Sequence, residues 1–326
     1  MSEEVLKEQE VVQEEVLEQE AEAVVPPKRK KYRSQKAAMT TSKIFSYILL
    51  VVLSLIWITP ILWIVLSSFR EEYRASGAYI GTVTTNFFPN AFGVKAYVDL
   101  FSGDFNGLDY AFPKWLLNTL IVSVSCCVIS TFLVLSVAYC MSKLRFKLRK
   151  TFMNISMIIG LFPGFMSMIA IYFLLKSMHL TQNLFGLIVA YSAGAGLGFQ
   201  VSKGFFDVIP TSLVESAKLD GCTNFKIFIK IILPLSKPII IYTALMSFTG
   251  PWMDFIFAQV ILGAANPELW TVSVGLSNMI FGPQANQALF TRFAAGCVIV
   301  AIPITSLFLF MQKYYVEGVT AGAVKG

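Results

Sequence analysis

Charged residues are scarce in this sequence. They make up 14% of its 326 residues, whereas a soluble domain of average composition has about 25%. Hydrophobic residues make up 56%, and the mean hydropathy is +0.66. Because so few charges cannot cover a globule of this size, the excess apolar surface points to lipid. The composition argues against a soluble enzyme, a nucleic-acid-binding protein and a disulfide-stabilised secreted domain.

Residues typical of metal-binding and catalytic sites are also few. The single histidine, His179, and five cysteines without a C-x-x-C pair form no metal-binding pattern, so no metal is expected. We expect the cysteines to act as small hydrophobic residues. No nucleophile and base stand out as a pair, and no catalytic residue is predicted. The sequence has no G-x-x-x-x-G-K-[ST] phosphate loop, so the chain should not hydrolyse ATP itself.

The net charge of +6 conceals a division along the chain. Residues 1–22 contain nine Glu and one Lys, a charge of −8, so the remainder carries +14. The acidic tail could be a short helix or disordered, because isolated short helices are marginal in water. The basic block PPKRKKYR that follows is typical of a juxtamembrane cluster rather than a nucleic-acid site. We therefore assign 1–41 to a cytoplasmic tail, disordered in part, and 42–326 to a membrane domain.

Six long stretches lack Asp, Glu, Lys and Arg, except for Asp254 in the fifth. Each can cross a bilayer core of about 30 Å as a helix of about 20 residues. Helices are expected because lipid cannot satisfy exposed backbone groups. The sequence thus predicts an all-α integral membrane protein with six transmembrane helices. The predicted spans are 44–69, 115–142, 151–175, 177–202, 238–267 and 293–312.

Basic residues indicate the orientation of these spans. With the N-terminus in the cytoplasm, the cytoplasmic segments hold 20 Lys and Arg and the outer segments hold six. Such a bias predicts that both termini are cytoplasmic. It also places the loop 203–237 on the cytoplasmic side, where its length exceeds that of a simple turn.

The loop 203–237 has the pattern of a helix-turn-helix. Ser212 and Glu215 have the S-x-x-E spacing of a capping box, which would begin the first helix. Asp220 and Gly221 predict the turn that ends it.

The second helix of the loop should begin at Thr223, which can act as its N-cap. It would place apolar residues on one face and lysines on another, so it could lie on the bilayer or dock into a soluble partner. The apolar face would comprise Phe225, Phe228 and Ile232, and the basic face Lys226 and Lys230.

These residues resemble a known motif. The segment E-S-A-x-x-D-G, followed after nine residues by I-x-L-P, is similar to the EAA loop of ABC-transporter permeases of the binding-protein-dependent import class. The family pattern is E-A-A-x-x-x-G, and Ser216 is a small-for-small departure from it. The C-terminal YYVEGVTAGAVKG and the segments FPGFMSMIAIYFLL and WTVSVGL resemble the smaller permease subunits of maltose-type carbohydrate importers. The resemblance covers about residues 42–326.

The resemblance implies that the loop is a coupling helix, which seats in a cleft on a cytoplasmic ATPase. Glu215 could instead cap its own helix. The tail 313–326 could contact the same ATPase or be a frayed terminus. The coupling residues implied are Glu215, Ser216, Ala217, Asp220, Gly221 and Pro234, and the implied tail contacts are Thr320, Gly322, Lys325 and Gly326.

The resemblance also implies the partners. They are a second permease subunit in a heterodimer, two cytoplasmic ATPase subunits that hold ATP and Mg, an extracytoplasmic sugar-binding protein and membrane lipid, without nucleic acid. No cofactor is expected on this chain, and the location implied is the bacterial cytoplasmic membrane. An outer loop after span five would meet the binding protein, through Gly263, Asn266 and Glu268.

Asp254 is the one acidic residue inside a predicted span, and such a charge is a candidate functional group. It could line the substrate path, bond to another helix or sit near the membrane interface. Trp252 could stack on a sugar or belong to the interfacial aromatic belt.

The leading hypothesis is a permease subunit of a sugar importer, for oligosaccharides of the maltodextrin or galactoside type. An importer of another solute, such as glycerol phosphate, is the first alternative. An integral membrane enzyme would need paired titratable residues at one membrane depth. An ion-coupled secondary transporter would need more intramembrane carboxylates and would not need a 35-residue inner hairpin.

Overall fold

The computed structural model describes residues 35–105, 108–109, 112–282 and 285–320. The predicted tail therefore lies outside the described residues, except for its last few, which begin the first helix at Gln35. The chain divides after Pro60 into two units. Pro60 itself lies inside the first helix.

The described residues are mainly helical, as predicted, although residues 69–94 contain no helix. Three short 3₁₀ turns (Gly196–Phe199, Pro267–Leu269, Gln287–Leu289), a π-helical turn (Phe228–Ile232) and a small antiparallel pair, β1 (Asp104–Phe105) and β2 (Leu108–Asp109), complete the secondary structure. The α-helices are α1 (Gln35–Ser68), α2 (Lys95–Ser102), α3 (Phe112–Lys143), α4 (Arg149–Gly160), α5 (Gly164–Ser177), α6 (Leu184–Ala195), α7 (Gln200–Val208), α8 (Thr211–Leu219), α9 (Asn224–Ile227), α10 (Leu233–Leu235), α11 (Lys237–Met253), α12 (Ile256–Leu262), α13 (Val272–Phe281) and α14 (Phe290–Thr320).

Three helical stretches are long and apolar enough to cross a membrane unaided: Lys43–Ser68, Phe112–Lys143 and Gln287–Gln312. Three further candidates are bent pairs of helices. The bends measure 105° between α4 and α5, 45° between α6 and α7, and 90° between Asn224–Leu235 and α11. By length and composition, the described chain reaches six spans if each bent pair counts as one.

Three predicted spans differ from single straight helices. In the stretch 177–202 the helix begins only at Leu184, and α6 and α7 meet at a 45° bend. The stretch 151–175 breaks between α4 and α5, because Pro163 takes the N-cap position of α5 with extended backbone and has no N–H to continue the earlier helix. The stretch 238–267 breaks after Met253, where Asp254 adopts extended backbone angles and α12 begins two residues later.

Buried side chains form two clusters. The first core lies where α3, α6, α12 and α13 meet, and the second lies around the end of α3 and the segments from α7 to α11. Because lipid is as apolar as leucine, close packing rather than exclusion of water must hold these helices together within a membrane. The first core includes Trp115, Leu187, Ile261, Val272 and Met279, and the second includes Ala138, Phe206, Val214, Ile227 and Ile232.

Candidate functional site

The helix-turn segment, residues 209–224, connects α7 to α9 and contains α8. Its helix starts at Thr211 with Pro210 as the N-cap residue, and no side-chain cap bond forms there. Ser212 is therefore the second helical residue rather than the cap, and the predicted capping box with Glu215 is wrong. The physical reason is that Pro210, which is preset for extended backbone, occupies the position that the serine would need.

The end of α8 is a Schellman motif, as the Asp220-Gly221 pair predicts. The N–H of Cys222 donates to the Ala217 carbonyl at 2.9 Å, and the N–H of Gly221 donates to the Lys218 carbonyl at 3.0 Å. Gly221 has φ of +76°, a left-handed conformation that glycine adopts without steric cost.

The predicted N-cap of the second helix is confirmed. Thr223 Oγ1 accepts a hydrogen bond from the N–H of Lys226 at 3.3 Å. The predicted apolar face is only partly correct, because Phe228 and Ile232 are buried whereas Phe225 is 66% exposed. Phe225 lies in the first turn of α9, ahead of the π-helical turn, and is not among the residues that pack into the second core.

The helix-turn segment presents one face to the second core and the other to the exterior. Val214 and Ala217 pack into the second core. Leu219, which sequence reasoning did not single out, is 89% exposed and stands beside the turn. Glu215, Ser216, Asp220 and Gly221 are exposed as well, and so is Pro234 in α10.

Asp254 connects three helices at the break after α11. One carboxylate oxygen accepts a hydrogen bond from the Tyr191 hydroxyl at 2.8 Å, and the other accepts from the N–H of Phe257 at 3.1 Å. Ser273 Oγ donates to the Asp254 carbonyl at 2.8 Å. Trp252 is 4% exposed and lies beside Phe248 in the first core. Its indole N–H has no hydrogen-bond partner among the described residues.

A cavity of about 280 Å³ lies between α3, α6, α7 and α11. Asp254 and Trp252 are not among its lining residues, but Tyr191 is, so the carboxylate is one hydrogen bond away from it. Sequence reasoning missed this cavity because its polar groups are single hydroxyls from four helices. They belong to Ser130, Tyr191, Ser202, Tyr242, Thr243 and Ser247.

The loop after α12 is fixed to the start of α3. Trp115 Nε1 donates to the Pro267 carbonyl at 2.8 Å, and Asn118 Nδ2 donates to the carbonyls of Glu268 and Trp270 at 2.7 and 3.0 Å. Gly263 has φ of +70°, and its carbonyl accepts from Trp270 Nε1 at 2.8 Å. Asn266 and Glu268 are exposed in the same loop.

Of the four predicted tail contacts, one lies within the described part of the chain. Thr320 is the last described residue, at the end of α14. Gly322, Lys325 and Gly326 lie outside the described residues.

Comparison with known proteins gives consistent matches. The family described as "Binding-protein-dependent transport system inner membrane component" matches residues 131–320. The galactooligosaccharides transport system permease protein GanQ of Bacillus subtilis is 34% identical over 284 residues, which cover 87% of this chain and 95% of that protein. The maltodextrin transport system permease protein MalD of Streptococcus pneumoniae is 32% identical, over 86% of this chain and 95% of that protein.

A solved structure shares the fold. One chain of a bacterial ABC transporter involved in the import of the acidic polysaccharide alginate has a TM-score of 0.72 at 22% identity, covering 89% of this chain and all of that one. The family match and the two permease relatives confirm the resemblance that the EAA-like motif indicated. The chain belongs to the family of binding-protein-dependent transport system inner membrane components.

Proposed function

We propose that this chain is the permease subunit of an ATP-driven importer that receives oligosaccharides from an extracytoplasmic binding protein. The names of its relatives, which transport galactooligosaccharides and maltodextrins, support the sugar class. In this proposal each bent helix pair is one span. The chain then crosses a bacterial cytoplasmic membrane six times with both termini in the cytoplasm, in agreement with its distribution of Lys and Arg.

The two faces of the helix-turn segment, one buried and one exposed, are the main structural support for the proposal. Its inner face is anchored in the second core by Val214 and Ala217, while Glu215, Ser216 and Leu219 are exposed. A rigid helix with one anchored and one free face suits docking into a groove on a partner. We assign the ATPase contact to this exposed face, to the turn at Asp220 and Gly221, and to the C-terminal tail. Ala217 then sets how closely α8 approaches the core.

The proposal also assigns the other subunits of the transporter. Since the sequence has no phosphate loop, ATP and Mg belong to two partner ATPase subunits, and a second permease subunit completes the pathway. To shift a two-state pore from 1:99 to 99:1, the partners must supply about 5.5 kcal/mol of differential binding. The loop with Gly263, Asn266 and Glu268 is assigned to the binding-protein contact on the outer side.

Reconstitution of the whole complex tests this proposal. The chain would be co-expressed with its second permease and ATPase, purified and placed in proteoliposomes. ATP hydrolysis would then be measured with the binding protein and maltotetraose, galactotriose, arabinotriose or glycerol 3-phosphate. We expect stimulation by at least one oligosaccharide and none by glycerol 3-phosphate. Stimulation by glycerol 3-phosphate alone would overturn the sugar assignment, and its absence with every solute would overturn the importer assignment.

A further inference from the structure

The last turn of α3 reaches both ends of the helix-turn segment. Lys143 Nζ donates to the carbonyl of Ile209, the first residue of the segment, at 2.6 Å. Four residues earlier, the Tyr139 hydroxyl donates to the carbonyl of Asn224, its last residue, at 3.0 Å. Residues spaced by four lie on the same face of a helix. One face of α3 therefore holds both ends of the segment.

Further contacts stiffen each end. At the first end, Ser142 Oγ donates to Asp207 Oδ1 at 2.6 Å, and Lys203 Nζ pairs with Asp207 Oδ2 at 2.5 Å. The bond from the Lys143 ammonium group is charge-assisted, a class roughly twice as strong as a neutral hydrogen bond. At the second end, the Tyr139 ring stacks on Phe228, with 5.0 Å between ring centroids.

The two ends of the segment are held by these hydrogen bonds, whereas its middle has an exposed face. Ile209 follows α7 with extended backbone at φ −67° and ψ 127°, and Tyr139 is only 4% exposed. Between them, α8 touches the second core through Val214 and Ala217 and exposes its remaining side chains. The bonds from Lys143 and Tyr139 thus connect the segment that bears this exposed face to the last turn of α3.

The other end of α3 holds a different part of the molecule. The helix has 32 residues and would extend about 48 Å at 1.5 Å per residue. Its only proline is Pro113, at the second position, where a helix tolerates proline. Trp115 and Asn118, near this start, bind the carbonyls of the loop 267–270. One uninterrupted helix thus connects the helix-turn segment to that loop.

We propose that Tyr139 and Lys143 are positioning residues, which convert a displacement of the helix-turn segment into a movement of α3. In this arrangement α3 carries the movement to the loop assigned to the binding protein. The inference rests on the proposed function, since a partner ATPase must supply the displacement.

The test uses the complete complex in proteoliposomes and the variants Lys143→Met, Tyr139→Phe and their combination. The readout is the ratio of binding-protein-stimulated to unstimulated ATP hydrolysis, together with the sugar transported per ATP. We expect the ratio to fall about fivefold or more in the double variant, within the range of coupling between distant sites. Lys143→Arg should restore it, because a guanidinium group can also donate to the Ile209 carbonyl. Lys147→Met, at an exposed lysine in the following loop, is the matched control.

Other results separate a positioning role from a structural one. If the thermal midpoint falls and both rates decline in parallel, the residues only hold the fold and the inference is wrong. A double variant with the wild-type ratio also overturns it, while stimulation of the wild-type complex keeps the proposed function intact. If the wild-type complex shows no stimulation, the proposed function itself fails.

Discussion

The hydroxyl group of Tyr191 donates a hydrogen bond to the Asp254 carboxylate across 2.8 Å. The bond joins α6 to the break that separates α11 from α12. The other carboxylate oxygen accepts the N–H of Phe257, in the first turn of α12, where a negative charge is favourable. Asp254 therefore links helices, which is one of the roles that its position in an apolar stretch suggested.

A double-mutant cycle should detect this joint. Tyr191→Phe and Asp254→Ala are combined, and unfolding is followed in detergent micelles. We expect a coupling free energy of about 0.6 kcal/mol, the average for hydrogen bonds between membrane helices, and no more than their maximum of about 1.7 kcal/mol. The matched cycle pairs Tyr191→Phe with Ser273→Ala, whose hydroxyl meets the Asp254 backbone rather than its carboxylate. Additive effects in the first cycle would show that the Tyr191 bond contributes nothing.

The turn at Gly221 should tolerate few substitutions. Gly221→Val places a β-branched side chain at φ of +76°, which costs of order 1–3 kcal/mol. We expect binding-protein-stimulated ATP hydrolysis in the assembled complex to be lost. Gly221→Asn should retain part of it, because asparagine adopts this conformation more readily.

A helical glycine provides the control for Gly221. Gly204 lies in α7, and a Cβ added there meets no atom within 4 Å. Gly204→Ala should leave hydrolysis unchanged. If Gly204→Ala and Gly221→Val lose ATP hydrolysis equally, the turn at Gly221 has no special role.

Gly275 permits α13 to pack against α3. A Cβ added at this glycine would overlap the six-membered ring of Trp115, which is 1% exposed. Gly275→Ala should therefore destabilise the chain by about 1–3 kcal/mol, the usual cost of overpacking. The thermal midpoint in detergent measures this effect. Gly160→Ala, at the end of α4 with no atom within 4 Å of the added Cβ, should have the wild-type midpoint.

Local sequence signals were reliable where the structure depends on few neighbours. The Schellman turn at Gly221 and the N-cap at Thr223 follow from one or two residues each, and both are confirmed. The three straight candidate spans follow from composition over more than 20 residues. The capping box at Ser212 failed because the neighbouring Pro210 determines where α8 begins.

Features that depend on tertiary packing were not accessible from the sequence. Hydropathy alone does not indicate the breaks at Pro163 and Asp254, since both sides of each are equally apolar. Pro163 is itself a local signal for the first break, whereas Asp254 gives no such signal for the second. The cavity lined by Tyr191 and Thr243 collects one to three polar residues from each of four helices, a pattern without periodicity. The contacts of Lys143 with a backbone carbonyl leave no motif at all.

The buried ion pair between Arg292 and Asp99 should contribute more to stability than the exposed ion pair between Lys114 and Glu268. Arg292 Nη2 lies 2.7 Å from Asp99 Oδ2, and the two side chains are 7% and 13% exposed. Removal of one partner from a buried pair typically costs about 3–5 kcal/mol, and Asp99 also accepts a hydrogen bond from Lys95 Nζ at 3.2 Å. Asp99→Ala should therefore lower the thermal midpoint markedly.

Lys114 and Glu268 form the comparison pair, 2.9 Å apart and 58% and 70% exposed. Exposed pairs contribute about 0–1 kcal/mol, since water and salt screen them. Lys114→Ala should thus leave the midpoint almost unchanged, and 0.5 M salt should abolish any small difference. Thermal unfolding of both variants in one detergent at two salt concentrations makes the comparison. Equal shifts for Asp99→Ala and Lys114→Ala would contradict the prediction, because burial is the property that distinguishes the two pairs.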